Sequence, residues 1–355
     1  MQTPIRVLVV DDSPSQLALL VSLLRAAGDF EIVGTAADGR SAVAATDRLR
    51  PGVVAMDIHL PVFDGYEATR QIMQRCPTPI VMFSGSAGDA GVRSMEALAA
   101  GALAVVQKPG GLNLPAAAAE RAQFLQMLRL MSGVRVVTRH VRRDPPSAPT
   151  PIIHPVRAGK PEILAVAAST GGPAALKTFL EGLGYGFPLP ILIVQHIARG
   201  FSPALQEWLS SVVPQPLHFA RPDERLLPGH AYLAPDDHHL LLAAPGMAGI
   251  EPTTSADRYS PSADKLFASV ARWYGSHAIG VIMTGMGDDG ARGIGAMRAA
   301  GAMTLGQDEA TCVVFGMPRA AAEAGALVRL LPLGGLAGAV LAAIPPTASL
   351  QRGAP

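Results

Sequence analysis

The stretch AVAASTGGPAAL, Ala165 to Leu176, runs from an apolar segment through a turn of small residues into a helix-like segment. Two uses fit such a turn. It can present Ser169 as a nucleophile, or its glycines can cradle a phosphate. Both need a strand, a tight turn and a helix, so the stretch points to an α/β fold built on parallel strands. In such folds ligands bind beyond the carboxyl ends of the strands. The residues just past the other strands therefore decide between the two uses.

The 355 residues exceed one core, and at roughly 150 residues per domain they suggest two. In the first part, apolar runs at 5–10, 31–36, 53–56, 80–83 and 102–106 alternate with amphipathic stretches at 15–27, 39–49 and 65–74. This rhythm predicts a five-stranded, doubly wound parallel sheet. Residues 139–161 break it with clustered prolines and arginines, as a linker does. From Glu162 the alternation resumes. The runs 163–168, 191–195 and 279–284 are apolar throughout or nearly so, as central parallel strands buried on both faces require. The proline-rich middle, 214–262, carries short strand-like pieces at 229–234 and 239–244 and predicts a hairpin excursion beside the main sheet. The expected division is a first domain over 1–125, a linker over 126–160, a second doubly wound, mainly parallel domain over 161–346 and a tail over 347–355.

Composition excludes several classes. Aromatic residues make up 5% and the net charge is +1, so neither a stacking surface for single strands nor a field toward DNA or acidic lipid is expected. No nucleic-acid partner is expected. The opening MQTPIRVLVVDD reads as a first strand and not as a signal peptide. The Ala/Gly-rich segment 333–345 is shorter than the roughly 18 residues of a membrane span, so a cytoplasmic protein without membrane insertion is expected. Cys76 and Cys312 are far apart and lack metal spacing, which suits a reducing compartment.

The strand ends of the first domain carry Asp11 and Asp12, Asp57, Ser84, and the run Gln107-Lys108-Pro109. Three converging carboxylates repel one another without a cation, and oxygen donors of this kind suit Mg²⁺. A lysine and a hydroxyl complete an electrostatic clamp for a phosphoryl group, with Asp57 as the covalent acceptor. These residues, together with Asp64-Gly65, resemble the receiver domain of bacterial response regulators over 1 to about 125. The resemblance implies phosphorylation of Asp57 by a histidine kinase, Mg²⁺ at Asp11, Asp12, Asp57 and the His59 backbone carbonyl, and phosphoryl sensing by Ser84 and Lys108. Val105 stands where many receivers carry an aromatic residue.

In the second domain Ser169, His196 and the loop GMGDDG (285–290) each come directly after a separate strand. A hydroxyl, an imidazole and a carboxylate from Asp288 or Asp289 meeting at one rim make a Ser-His-Asp triad. Taken singly, each has a plainer reading: a helix cap for the serine or the aspartates, a satisfied polar residue for the histidine. The phosphate reading is weaker, because STGGP lacks the P-loop lysine and the dinucleotide spacing. The run APDDHH (234–239) has the composition of a metal cluster, but neighbouring strand residues point to opposite faces, so its two histidines do not readily share a metal.

The motifs STGGP, Gln195-His196, SAD from Ser262, TGMGDDG from Thr284, GQDE from Gly306 and VFGMPR from Val314, behind a receiver, resemble the chemotaxis-type protein-glutamate methylesterase (CheB) family from about 5 to 345. That resemblance implies Ser169 as nucleophile, His196 as base and Asp289 as orienting acid. By the same resemblance, backbone groups of Met286 and Thr170 lie near the developing oxyanion. The implied substrates are the methyl esters of methylated chemoreceptors and, in some relatives, receptor glutamines; the catalytic domain needs no cofactor. His239 falls on a family position read as structural or substrate-side. Four departures stand out: Ala167 for a glycine, Ile197-Ala198 for Met-Pro, Asp288 for a frequent asparagine, and Val105 in the receiver. A receiver-switched scaffold with an inert hydrolase, and a transcription regulator, are the rival readings; the second lacks a basic helix-turn-helix pattern.

Overall fold

A computed structural model describes residues 3–84, 95–98, 100–110, 117–134, 136, 159–197 and 199–345, without the side chains of Ser84, Ala117 and Ala119. Most of the Pro/Arg-rich linker, the tail 347–355 and Ala198 lie outside that set.

The first sheet contains β1 (Ile5–Val10), β2 (Phe30–Ala36), β3 (Val53–Asp57), β4 (Ile80–Ser84) and β5 (Ala104–Gln107), all parallel, in the order β2-β1-β3-β4-β5. The order reverses between β1 and β3, so the residues at their ends, Asp11–Asp12 and Asp57, flank the crevice. Strand β5 begins two residues later than expected. The helix Ala117–Ser132 carries the first unit past residue 125, because Phe124, Leu128 and Met131 are buried in its core and Phe124 meets Phe83 edge-on at 5.9 Å.

The second sheet has seven parallel strands. In chain order they are β6 (Ile163–Ala168), β7 (Ile191–Gln195), β8 (Leu217–Phe219), β9 (Ala231–Leu233), β12 (Ala278–Ile282), β13 (Met303–Gln307) and β14 (Arg329–Leu331). Their spatial order is β14-β13-β12-β6-β7-β9-β8. Of the two pieces expected in a hairpin excursion, 229–234 instead joins the main sheet as the parallel strand β9, and 239–244 lies in β10 (His238–Ala244), whose antiparallel partner is β11 (Met247–Pro252). All residues of β6, β7 and β12 are buried, because helices cover both faces, and this is why their sequences are apolar without alternation. Among the covering helices, Ala263–Tyr274 buries Ala263, Leu266, Phe267 and Val270. That spacing is one helical stripe. Truncating Phe267 to alanine costs about 3–5 kcal/mol on the usual scale for core aromatics.

The two units share packing. One buried apolar cluster includes Met56, Met82 and Val105 of the first unit and Leu176, Phe179 and Trp208 of the second. The segment Leu333–Ala343 is a helix of 11 residues, and among the described residues no helix is long and apolar enough to cross a membrane.

Candidate active site

In the second sheet the strand order reverses at β6. Strand β7 lies on one side of it and β12 on the other, so the ends of these three strands form the crevice. Ser169 lies just past β6, His196 just past β7, and the loop Gly285–Gly290 past β12. The turn at Ser169 is pinned by its own N–H, which donates to the Thr284 carbonyl at 3.0 Å, and by its carbonyl, which accepts from Gly172 N–H at 2.7 Å. Gly171 takes the left-handed conformation (φ 78°) that lets the helix Gly172–Leu183 start at once. At Gly172 a side chain would collide with Gln195 Oε1. The Gln195 amide donates to the carbonyls of Ser169 and His196, both at 2.8 Å, and so brackets the turns that carry both residues.

Asp289 is 2% exposed and its carboxylate is fully engaged. Oδ1 accepts from Ser262 Oγ and Asp264 N–H, each at 3.0 Å, and Oδ2 accepts from Ala263 N–H at 2.6 Å. The two amides belong to the first turn of the helix Ala263–Tyr274, where free N–H groups and the helix dipole favour an anion. His196 Nε2 completes the set at 2.8 Å from Oδ2. Burial pushes the Asp289 carboxyl up, but the His196 ring and the amides outweigh it and hold the pKa below the ordinary aspartate range. With a carboxylate at Oδ2, Nε2 carries the proton, and Nδ1 is the basic nitrogen of the neutral ring. Ser169 and His196 line one cavity of about 310 Å³, together with Thr170, Gln195 and Met286. Ser169 Oγ makes no hydrogen bond among the described residues, so Ser169 and His196 share the cavity without being joined. Nothing among the described residues accepts from the N–H of Thr170 or Met286.

The cavity has a second wall. Leu98, Val105, Met127, Leu130 and Met131 of the first unit face Ser169 and His196 across it. Val105, at the position noted for lacking an aromatic ring, thus lines the same cavity as Ser169 and His196.

At the other rim, Asp11 and Asp57 are 1% and 3% exposed, and Asp12 is exposed. One carboxylate oxygen from each of the three lies within 4.8 Å of the others. Lys108 Nζ bridges two of them, 2.5 Å from Asp57 Oδ2 and 2.8 Å from Asp11 Oδ2. The second contact is an ion pair without hydrogen-bond alignment, so the buried Asp11 Oδ2 has no donor. Burial raises the Asp11 pKa against the pull of Lys108 and the Ser13 N–H. Burial also works to lower the Lys108 pKa, but the two carboxylates raise it overall. A buried oxygen without a donor beside two further carboxylates fits a hard divalent cation. The His59 N–H donates to Asp57 Oδ1 at 3.2 Å.

Two family models match the chain: "CheB methylesterase" over residues 164–340 and "Response regulator receiver domain" over 7–118. A Myxococcus xanthus protein named protein-glutamate methylesterase/protein-glutamine glutaminase 4 is 46% identical over 317 residues, 89% of this chain and 90% of its own length. The chain belongs to the CheB methylesterase family. A family member of the same name from Geobacter metallireducens is 43% identical over 92% of this chain and 95% of its own. The crystal structure of the Thermotoga maritima CheB methylesterase catalytic domain is similar at 33% identity and a TM-score of 0.50, covering 52% of this chain and all of that one.

Within the CheB frame the departures have visible settings. The Ala167 methyl is fully buried on the second face of β6, packed in an apolar cluster. Asp236 accepts from Gly200 N–H at 3.0 Å and Ser202 Oγ at 2.5 Å, so APDDHH holds the loop after His196. His239 is buried, and its Nδ1 accepts from Ser262 N–H at 3.0 Å, which fixes the residue that serves Asp289. Asp288 turns outward, accepting from Tyr259 Oη at 2.7 Å and Arg258 at 3.2 Å. Tyr259, which no sequence motif singles out, stacks on His196 with ring centroids 5.4 Å apart and planes 4° from parallel. It sits in an aperiodic segment between β11 and the next helix. Its one signal is its place three residues before Ser262 of the SAD motif.

Proposed function

We propose that this chain is a receiver-controlled protein-glutamate methylesterase that hydrolyses γ-glutamyl methyl esters of chemoreceptors to glutamate and methanol, and deamidates receptor glutamines by the same route. One observation carries the reading: His196, oriented by Asp289 through Nε2, shares a cavity with Ser169 at the switch point of a parallel sheet.

In this mechanism Ser169 Oγ bonds to the ester carbonyl carbon while His196 Nδ1 takes its proton. The oxyanion lies at the N–H groups of Met286 and Thr170. The C–OCH₃ bond then breaks, the imidazolium returns its proton to the leaving oxygen, and methanol departs. Water adds to the acyl-enzyme with His196 again as base, and Ser169 leaves with the proton. Asp289 holds the imidazolium that forms in each half. With a glutamine substrate the group that leaves is ammonia. The catalytic unit calls on no cofactor for this.

The same proposal gives the first unit its role. A histidine kinase donates a phosphoryl group to Asp57. Asp11, Asp12, Asp57 and the His59 carbonyl would hold Mg²⁺, whose charge offsets that of the phosphoryl oxygens. Lys108 and Ser84 contact the modified aspartate; the Ser84 side chain lies outside the described residues. The cover of Leu98, Val105, Met127, Leu130 and Met131 supports restraint of the unmodified enzyme, and phosphorylation shifts the balance between covered and open arrangements. The proposed division is a receiver over 1–125 extended by its helix to Ser132, a linker to 160, a catalytic unit over 161–346 and a tail over 347–355, in a cytoplasmic protein.

The test is methanol release from methylated receptor membranes with and without acetyl phosphate and Mg²⁺. Release that rises with phosphodonor and vanishes in Ser169→Ala supports the reading; no release under either condition refutes it.

A further inference from the structure

Asp289 secures one edge of the His196 ring, at Nε2. A single hydrogen bond at an edge leaves the plane of an imidazole free to roll about that bond. Rolling carries Nδ1 away from its target, and Ser169 offers no hydrogen bond to stop it. Tyr259 is stacked on this ring. Its ring lies 5.4 Å from the imidazole centroid and 4° from parallel.

Tyr259 is itself fixed. Its hydroxyl donates to Asp288 Oδ1 at 2.7 Å, and the Arg258 guanidinium lies 5.0 Å from the ring centroid while pairing with Asp288 Oδ2 at 3.2 Å. Burial and the Asp288 carboxylate both push the phenol pKa up, so the hydroxyl keeps its proton and stays a donor. The Tyr259 hydroxyl keeps Asp288 below the ordinary aspartate range, so the acceptor stays charged. The loop leaves room for this arrangement. Gly287, at φ 90°, has no side chain, and a Cβ there would sit 2.8 Å from the phenol oxygen. Met286 precedes that glycine and Asp289 lies two residues beyond it, so the tyrosine is seated on the loop that carries both the oxyanion donor and the orienting acid.

We propose that Tyr259, held by Asp288 and Arg258, is a positioning residue for the catalytic base: it sets the plane of His196 so that Nδ1 stays aimed at Ser169. This rests on the esterase reading above. It also gives Asp288, a departure from the family's frequent asparagine, a task. Asp288 holds the clamp and not the substrate. A flat aromatic face against the ring also favours the imidazolium formed during each proton transfer.

The test is the rate of Ser169 modification by a fluorophosphonate probe in the full chain, with acetyl phosphate and Mg²⁺ present. Saturation kinetics separate the probe's binding constant from the maximal rate of modification. Tyr259→Leu, which removes the ring, lowers the maximal rate about 30-fold and leaves the binding constant within about twofold, on the scale of a lost alignment. Tyr259→Phe keeps the stack, loses the Asp288 bond and restores most of the rate, within about fivefold of wild type. Asp288→Ala alters an exposed side chain and tests the clamp in a protein whose core is intact; it lowers the maximal rate about three- to tenfold. Equal maximal rates in wild type, Tyr259→Leu and Asp288→Ala overturn the positioning role while leaving the esterase reading standing. A wild-type chain that takes no probe at Ser169 overturns both.

Discussion

Asp11 and Asp289 invite comparison. Each lies past the end of a central parallel strand at a point where the strand order reverses, and each is almost fully buried. Their carboxyl groups are nonetheless driven in opposite directions, Asp11 upward and Asp289 downward. The difference lies in the donors around them. Asp289 receives two backbone N–H groups, a hydroxyl and an imidazole, which leaves no capacity for anything else. Asp11 receives one N–H at Oδ1, while Oδ2 has only an ion pair. A saturated carboxylate is a fixed part, suited to holding a base. An unsaturated one beside two more acids is suited to a cation. Residue type and topology alone do not separate these roles; the donors do.

The largest test of this contrast is Ser169→Ala. Methanol release is expected to fall by a factor on the order of 10⁶, as for other serine nucleophiles, while phosphoryl uptake at Asp57 from acetyl phosphate persists. Loss of both activities would mean that the two rims are not separable. Next is Asp289→Asn, which places an amide where four donors converge. The probe-labelling rate at Ser169 should drop about 10⁴-fold. The same variant tests stability. The depressed Asp289 pKa stabilises the fold above about pH 4, and this contribution is lost as pH falls through the lower folded-state value. Denaturant midpoints of wild type and variant should therefore converge in acid and differ at neutral pH. Asp11→Asn should raise the Mg²⁺ needed for half-maximal phosphoryl uptake about tenfold; an unchanged requirement would remove Asp11 from the cation site. The smallest effect is expected from Leu130→Asp, a charge in the apolar cover. Labelling of Ser169 without phosphodonor should rise about fivefold as the covered arrangement loses population, and a rate at or below wild type would count against the cover.

Much of the frame is legible in the residues themselves. Strands β6 and β7 begin and end where their apolar runs do, because a strand buried on both faces has no other way to be written. Short or marginal strands are not legible. Strand β14 is three residues opening on an exposed arginine, and β8 has a single buried residue. The run 279–284 predicts a strand to Thr284, yet β12 ends at Ile282. Beyond that point Thr284 leaves the ladder, donating its N–H to Gln307 Oε1 and its hydroxyl to the Thr170 carbonyl. The candidate triad is readable because each member comes after a strand. The residues that hold the triad are not. Ser262 and His239 enter the sequence reading through family resemblance, and Tyr259 does not enter it; all three act through contacts between segments remote in sequence, which no local period announces.

The two walls around Ser169 differ in their room for change. The floor is closely packed: a Cβ at Gly172 would collide with the Gln195 side chain, and one at Gly171 would stand 2.6 Å from the Cβ of Val313. An added methyl there has nowhere to go. The roof is made of Leu98, Val105, Met127 and Leu130, side chains whose shape can vary while they stay apolar. Inheritance and the laboratory therefore face the same asymmetry. The roof can take apolar substitutions of other shapes, whereas an added side chain at Gly171 or Gly172 must displace Val313 or Gln195.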